Sequence, residues 1–293
     1  MRFFALSPLK IRPSPNAGAR LRLVYQNTIR FPLARGTRHC KERPAFAFTQ
    51  TASGLARLFQ FLKPPVMKIV QCWDDGVVDD IRLCSLLRAR GARATFNLNY
   101  GLHGAGRGHA WVYQQTKVVQ RLALAELHET YLGFTIANHT LTHPFPSRLS
   151  LSEWRREVTD GRAQLQDHFQ QEVSGFAYPY GEYDDALAEV VRDAGHVYAR
   201  TCRNATPCLP ADDNLMLATD CHHADPAFWE RYGAAKAARA PVFYFWGHSY
   251  EFMTESDWAD FDAKMQRISA DPDVQWADLP ELFNSSARNR PTF

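Results

Sequence analysis

Cysteine is scarce and unpatterned in this chain. The six residues Cys40, Cys72, Cys84, Cys202, Cys208 and Cys221 include no C-x-x-C pair. Five of them fall in residues 67–293, an odd number that argues against a disulfide framework and suits a reducing compartment. No apolar run approaches the roughly 20 residues of a membrane helix, so a soluble body is expected. Internal repeats and low-complexity tracts are also missing, which sets aside repeat architectures and biased linkers. Acid is nearly absent from one end: residues 1–66 carry nine Arg and three Lys against Glu42 alone, a formal charge of +11. The remaining 22 basic and 30 acidic side chains give residues 67–293 a charge of −8, and an acidic body offers no nucleic-acid surface.

What is present points to one folded body. A chain of 293 residues with 45% hydrophobic and 13% aromatic content is globular in composition and long enough to bury a core. Residues 1–66 show neither helical nor alternating periodicity and read as a basic, disordered extension. The apolar opening "MRFFALSPL" is cut short by Ser7 and Pro8, so it is transit-like at most, or upstream of the folded domain. Met67 opens "MKIVQCWDDG" as a protein start would, and residues 67–293 are expected to form a single catalytic domain.

From residue 68 strand-like and helix-like stretches alternate. "KIVQCW" (68–73), "ARATFNLN" (92–99), "GFTIAN" (133–138), "VSGFAYPYG", "HVYARTC" and "PVFYFWGHS" (241–249) read as strands, some running into turns. Helical spacing appears in 78–91 with Gly91 as a stop, around 116–129, from Ser150 with Glu153 in a capping-box arrangement, in "DDALAEVVRDAG" and in "ESDWADFDAKMQRI". Such alternation predicts parallel strands with crossover helices, an α/β fold whose reactive residues gather at the carboxyl ends of the strands. Four polar clusters sit at such ends: "WDDG", "NHTLTH", "YPYG" and "GHS".

Each cluster alone has a plain explanation. Asp74-Asp75-Gly76 is a turn as readily as a pair of reactive acids, and His139 and His143 are two turn histidines as readily as metal ligands. Together they make a chemical set. Asp75 with His139 and His143 supplies three ligands and leaves an open position, the arrangement of a catalytic metal. Asp74 is then free to act as a base. His248 ends the strand 241–247, where an acid for a leaving group belongs, and Tyr180 in the Y-P-Y-G turn offers a backbone donor to an oxyanion.

The order D-D-G, H-T-x-x-H-P, P-Y-G and a strand-terminal histidine resembles the polysaccharide deacetylase family, the NodB homology domain or carbohydrate esterase family 4. The resemblance covers roughly residues 67–270. It implies a distorted (β/α) barrel, commonly seven-stranded, with a divalent metal on Asp75, His139 and His143. It further implies Asp74 as catalytic base, His248 as general acid and the Tyr180 N–H as oxyanion donor. The implied reaction is hydrolysis by metal-activated water, most often removal of acetyl from an N-acetylated sugar. Zinc suits the ligand set, and cobalt, nickel or iron fit it too.

Three departures mark an atypical branch. Ala177 stands where many members carry an arginine that steers the base. The family's Asp-Trp motif has no clean counterpart, with Asp220, Asp225 and Trp229 as candidates. "FWGHSYEF" replaces the usual residues around the acid. Trp246, Tyr250, Glu251, His222 and His223 are candidate substrate contacts. The expectation is a cytoplasmic deacetylase acting on a small carbohydrate or glycoconjugate, with neither nucleic acid nor membrane as partner. The alternatives are a hydrolase of non-sugar linear or cyclic amides and an inactive carbohydrate-binding member.

Overall fold

A computed structural model describes residues 66–283. The expectation for the basic extension therefore lies outside the described residues, apart from Val66. Strands β1 (Met67–Asp74), β2 (Thr95–Leu98), β5 (Thr135–Asn138), β6 (Gly175–Ala177), β7 (Tyr198–Asn204), β8 (Leu217–Thr219), β9 (Cys221–His222) and β10 (Val242–Gly247) form one parallel path. Its order is β8-β7-β6-β5-β2-β1-β10-β9, and β11 (Val274–Trp276) pairs with the first half of β1. The two ends of this path are consecutive in the chain. β8 pairs with β7, β9 pairs with β10, and between them the Asp220 N–H donates to the Tyr244 carbonyl at 2.7 Å. A single stretch bent at Asp220 thus closes the barrel, and it is why eight strand segments appear where seven strands were expected.

Alternation along the strands sorts side chains into two layers. On β1, Ile69 and Trp73 face the main hydrophobic core under the outer helices, whereas Val70 and Cys72 face the barrel interior with Tyr198, Leu217 and Tyr244. The next inward position on β1 is Asp74. On β10 the inward series Val242, Tyr244, Trp246 leads to His248. The inward face of β5 leads through Ala137 to His139, and that of β7 from Tyr198 to Arg200. The strand period itself therefore delivers the reactive side chains to one mouth.

The helices carry the signals expected of them. Helix Leu151–Phe169 begins at Ser150, whose hydroxyl accepts from Glu153 N at 3.3 Å while Glu153 accepts from Ser150 N at 2.8 Å. Helix Asp80–Ala89 ends before Gly91, which takes φ 62°, a left-handed value suited to glycine. The helix expected around 116–129 is half wrong. Lys117–Arg121 is a strand, β4, paired antiparallel with β3 (Gly108–Tyr113), and the helix covers only Leu124–Tyr131. Val118 and Gln120 are exposed whereas Val119 and Arg121 are buried, a two-residue period that competes with the helical one. Cys72, Cys84, Cys202, Cys208 and Cys221 are all free thiols, and no described helix is long and apolar enough to cross a membrane.

Candidate active site

Asp74 ends β1 in register with Asn97 of β2 and is buried at the barrel mouth. The Asn97 side-chain amide donates to Asp74 Oδ1 at 2.7 Å, and the Arg200 guanidinium donates to Oδ2. Burial alone would raise the Asp74 carboxyl, but Arg200, His139 and His248 outweigh it and hold the group below the usual carboxylate range. Asp74 is therefore an ionised, fixed acceptor.

Asp75 follows in a left-handed backbone conformation, φ 88°, which breaks the alternation and lets a second adjacent carboxylate reach the same mouth. His143 (φ 55°) and Tyr180 (φ 57°) share this conformation. For non-glycine residues it is uncommon, costs about 1–3 kcal/mol each, and gathers at functional sites. The Asp75 N–H donates to the Asn97 carbonyl at 3.0 Å, and Arg121 of β4 donates to the Asp75 carboxylate at 3.1 Å. Burial opposes ionisation here too, yet Arg121 and the nearby histidines hold the Asp75 carboxyl well below its ordinary range.

The two histidines are prepared as ligands. His139 Nδ1 donates to the Ala177 carbonyl at 2.8 Å, which puts the ring proton on Nδ1 and leaves the Nε2 lone pair bare. Burial lowers the His139 pKa against the pull of Asp74 and Asp75. Burial, with His139 beside it, pushes the His143 pKa down to about 4. Both imidazoles are neutral near pH 7, as a metal ligand must be. Ligand atoms of Asp75, His139 and His143 all lie within 4.8 Å of one another. The donor set, the neutral imidazoles and the fixed tautomer of His139 fit a divalent metal.

His248 closes the mouth from β10. Its Nε2 lies 3.9 Å from Asp74 Oδ2 and 4.0 Å from Asp75 Oδ2, and its Nδ1 donates to Glu251 Oε1 at 3.1 Å. Burial would depress the His248 pKa, but Glu251, Asp75 and Asp74 reverse the balance and raise it to about 9. Asp74 and His248 thus sit side by side with their pKa values pushed in opposite directions, a pattern that suits general acid–base chemistry.

The family model described as polysaccharide deacetylase matches residues 62–199. Over these 138 of its 293 residues the chain resembles the polysaccharide deacetylase family. With it comes the reaction class, hydrolysis of non-peptide carbon–nitrogen bonds. Among solved structures, the chain is similar to the Streptococcus pyogenes deacetylase PplD in complex with acetate, at 21% identity over 57% of this chain and 70% of that one, TM-score 0.43. A polysaccharide deacetylase from Bacillus cereus is similar at 18% identity over 50% of this chain and 44% of that one, so less than half of that protein is spanned, TM-score 0.40. A CE4 family pseudoenzyme from Bacillus anthracis is similar at 16% identity over 75% of this chain and 66% of that one, TM-score 0.47. No curated protein matches the chain.

In this domain the two gaps left by the motifs have occupants. Ala177 of β6 is the register partner of Arg200 on β7, so the arginine that holds Asp74 comes from the neighbouring strand. Of the candidates for the Asp-Trp motif, none bonds to His248. Asp220 accepts from Tyr244 N at 2.8 Å at the barrel closure, Asp225 accepts from Ala227 N at 2.8 Å ahead of helix Phe228–Ala237, and Trp229 packs under Arg267. The carboxylate on His248 is Glu251. His222 and His223 also converge on Glu251, at 3.0 and 2.8 Å, and these three form a second group of close ligand atoms.

Trp246 lies beneath the Arg200 guanidinium and beside His248 and His222. Tyr250 packs 4.9 Å from the His248 ring with Trp111 and Tyr113 of the β3–β4 hairpin against it. Tyr180 is 52% exposed, stacked on Phe145 at 3.6 Å and set 4.6 Å from the His143 ring. Sequence reasoning missed Asn97, Arg121 and Arg200. A fully buried arginine in the apolar run "HVYAR" and the asparagines in "TFNLN" were the available signals.

Proposed function

We propose that this chain is a metal-dependent deacetylase that removes acetyl from an N-acetylated sugar, oligosaccharide or glycoconjugate. The observation that carries the reading is Asp74 and His248, 3.9 Å apart, beside the three-ligand group. A divalent metal on Asp75, His139 and His143, with zinc favoured by the donor set, would supply a Lewis acid that acidifies water and polarises an acyl carbonyl.

The chain's own residues do the rest. Asp74, fixed by Asn97 and Arg200, takes the proton from the attacking water. The Tyr180 N–H, carried on a left-handed turn beside His143, donates to the developing oxyanion. His248 gives its Nε2 proton to the departing nitrogen as the carbon–nitrogen bond breaks, and Glu251 keeps the ring charged until then. Aromatic groups flank the site, Tyr180 with Phe145 beside His143 and Tyr250 with Trp111 and Tyr113 beside His248. They offer apolar faces to a pyranose ring.

The test is acetate release by the full chain from N-acetylglucosamine oligomers and nucleotide sugars, with chelator and with zinc added back. Acetate that disappears with chelator and returns with zinc supports the reading. Metal-loaded protein that releases none from these sugars yet opens linear or cyclic amides would replace the substrate and keep the chemistry.

A further inference from the structure

We propose that His222 and His223 form a clamp that fixes Glu251, and through it the general acid His248. They are positioning residues rather than substrate contacts or ligands of a second metal. The proposal rests on the reading of His248 as the acid.

Three hydrogen bonds and one close imidazole contact converge on Glu251 from this one corner. Oε2 takes His223 Nε2 at 2.8 Å and the His248 backbone N–H at 3.1 Å, with His222 Nε2 lying 3.0 Å from it, and Oε1 takes His248 Nδ1 at 3.1 Å. A carboxylate offers about two lone-pair sites on each oxygen, so the contacts of the chain itself fill Oε2.

The tautomer of His222 decides between a proton and a cation. The Ala224 N–H donates to His222 Nδ1 at 3.2 Å, so in the neutral ring the proton lies on Nε2, the atom that faces Glu251. A metal at that nitrogen would need the proton on Nδ1, pointing into the Ala224 N–H. The neutral His222 ring therefore turns a proton, not a lone pair, toward Glu251.

His223 is the rigid jaw. Its side chain is 5% exposed and lies among Trp73, Phe252 and Phe261. Its N–H donates to the Trp246 carbonyl at 2.7 Å, and Lys264 Nζ donates to the His223 carbonyl. Gly247 makes room for the ring: a Cβ there would stand 2.1 Å from His223 Cδ2. The residue just before the acid is thus a glycine because the clamp passes over it. Together these contacts hold Glu251 at one rotamer, and with it the direction of the His248 ring.

The test separates leaving groups. An amide nitrogen must be protonated to depart, whereas 4-nitrophenolate from 4-nitrophenyl acetate departs without a proton. The full-length, zinc-loaded His223→Phe variant keeps a ring and loses the donor. His223→Gln returns a donor at nearly the same place. We expect His223→Phe to lose about 100-fold in kcat on the N-acetyl sugar, within the range of general-acid effects. KM should stay close to the parent's, the aryl ester should lose less than about 3-fold, and His223→Gln should recover most of the amide rate. Equal losses on both substrates, or none on either, would overturn the clamp. So would a second equivalent of zinc in the parent that His222→Phe removes, because that makes the group a cation site.

A parent that turns over neither substrate would sink the functional reading instead. The clamp would then be judged by nitrogen-15 NMR of the histidine rings. A hydrogen-bonded Nδ1–H of His248 that vanishes in His223→Phe supports it, and an unchanged signal contradicts it.

Discussion

The two sides of the active site are held by opposite charges. On the Asp74–Asp75 side the locks are cations, Arg200 on the base and Arg121 on the neighbouring carboxylate, both buried. On the His248 side the lock is an anion, Glu251, itself held by His222 and His223. The first arrangement lowers the pKa of Asp74 and the second raises that of His248 to about 9. One fold thereby favours a deprotonated Asp74 and a protonated His248 a few ångströms apart, which burial alone does for neither.

That contrast can be broken from either side. The largest effect is expected on the ligand side: Asp75→Ala or His139→Ala should lose bound metal and activity together, read by metal content and acetate release. Retained metal in either variant would contradict the ligand set.

Next comes the cationic lock. Arg200→Ala leaves Asp74 buried without its partner and should cost about 3–5 kcal/mol of stability, as breaking one side of a buried pair does. Denaturant unfolding measures this, and Arg200→Lys should recover only part of it because a single ammonium lacks the guanidinium fork. A loss below about 1 kcal/mol, the scale of a surface pair, would mean the arginine does not hold the base.

The anionic lock should matter less for stability and more for rate. Glu251→Gln is expected to lower kcat on the amide by about 10- to 100-fold with metal content unchanged. A rate near the parent's would show that His248 does not depend on its carboxylate.

The smallest effect sharpens the comparison away from the reacting atoms. Asp80 is fully buried and accepts from Tyr131 Oη at 2.6 Å, Ser249 Oγ at 2.5 Å and Val77 N at 3.2 Å, so it ties the turn after Asp75 to the turn after His248. It has no cation to offset burial, and its pKa rises from 3.8 to about 7. The folded state therefore binds this proton more tightly than the unfolded chain does. The stability it contributes is complete below the unfolded value and is lost as pH rises through the folded one. Relative to the parent, Asp80→Asn should gain stability between roughly pH 4 and pH 7. Unfolding midpoints at both ends of that range check the sign, and a difference independent of pH would contradict it.

What was legible in the sequence follows the same division. Asp74, Asp75, His139 and His143 announce themselves because each pair sits within one short turn at a strand end. The barrel was legible from alternating strands and helices, and its seven-strand count differs from the eight observed segments only by the bend at Asp220. The locks were not legible. Arg200 acts where Ala177 cannot because parallel register sets the two side by side, and register is a property of the sheet rather than of either segment. Arg121 was hidden inside a stretch read as helix, and its two-residue period emerges only once β3 pairs with β4. Glu251 was visible as a residue near His248, but its contacts with His222 and His223 join segments from two strand ends.

The measurement that tests the account most directly is the metal content and turnover of Asp74→Asn in the full-length, zinc-loaded protein. The account predicts one equivalent of metal retained and acetate release reduced by at least about 100-fold, the low end of what a positioned general base contributes. Turnover near the parent's with the metal still bound would contradict it, because the ionised carboxylate that Arg200 holds would then not be the base.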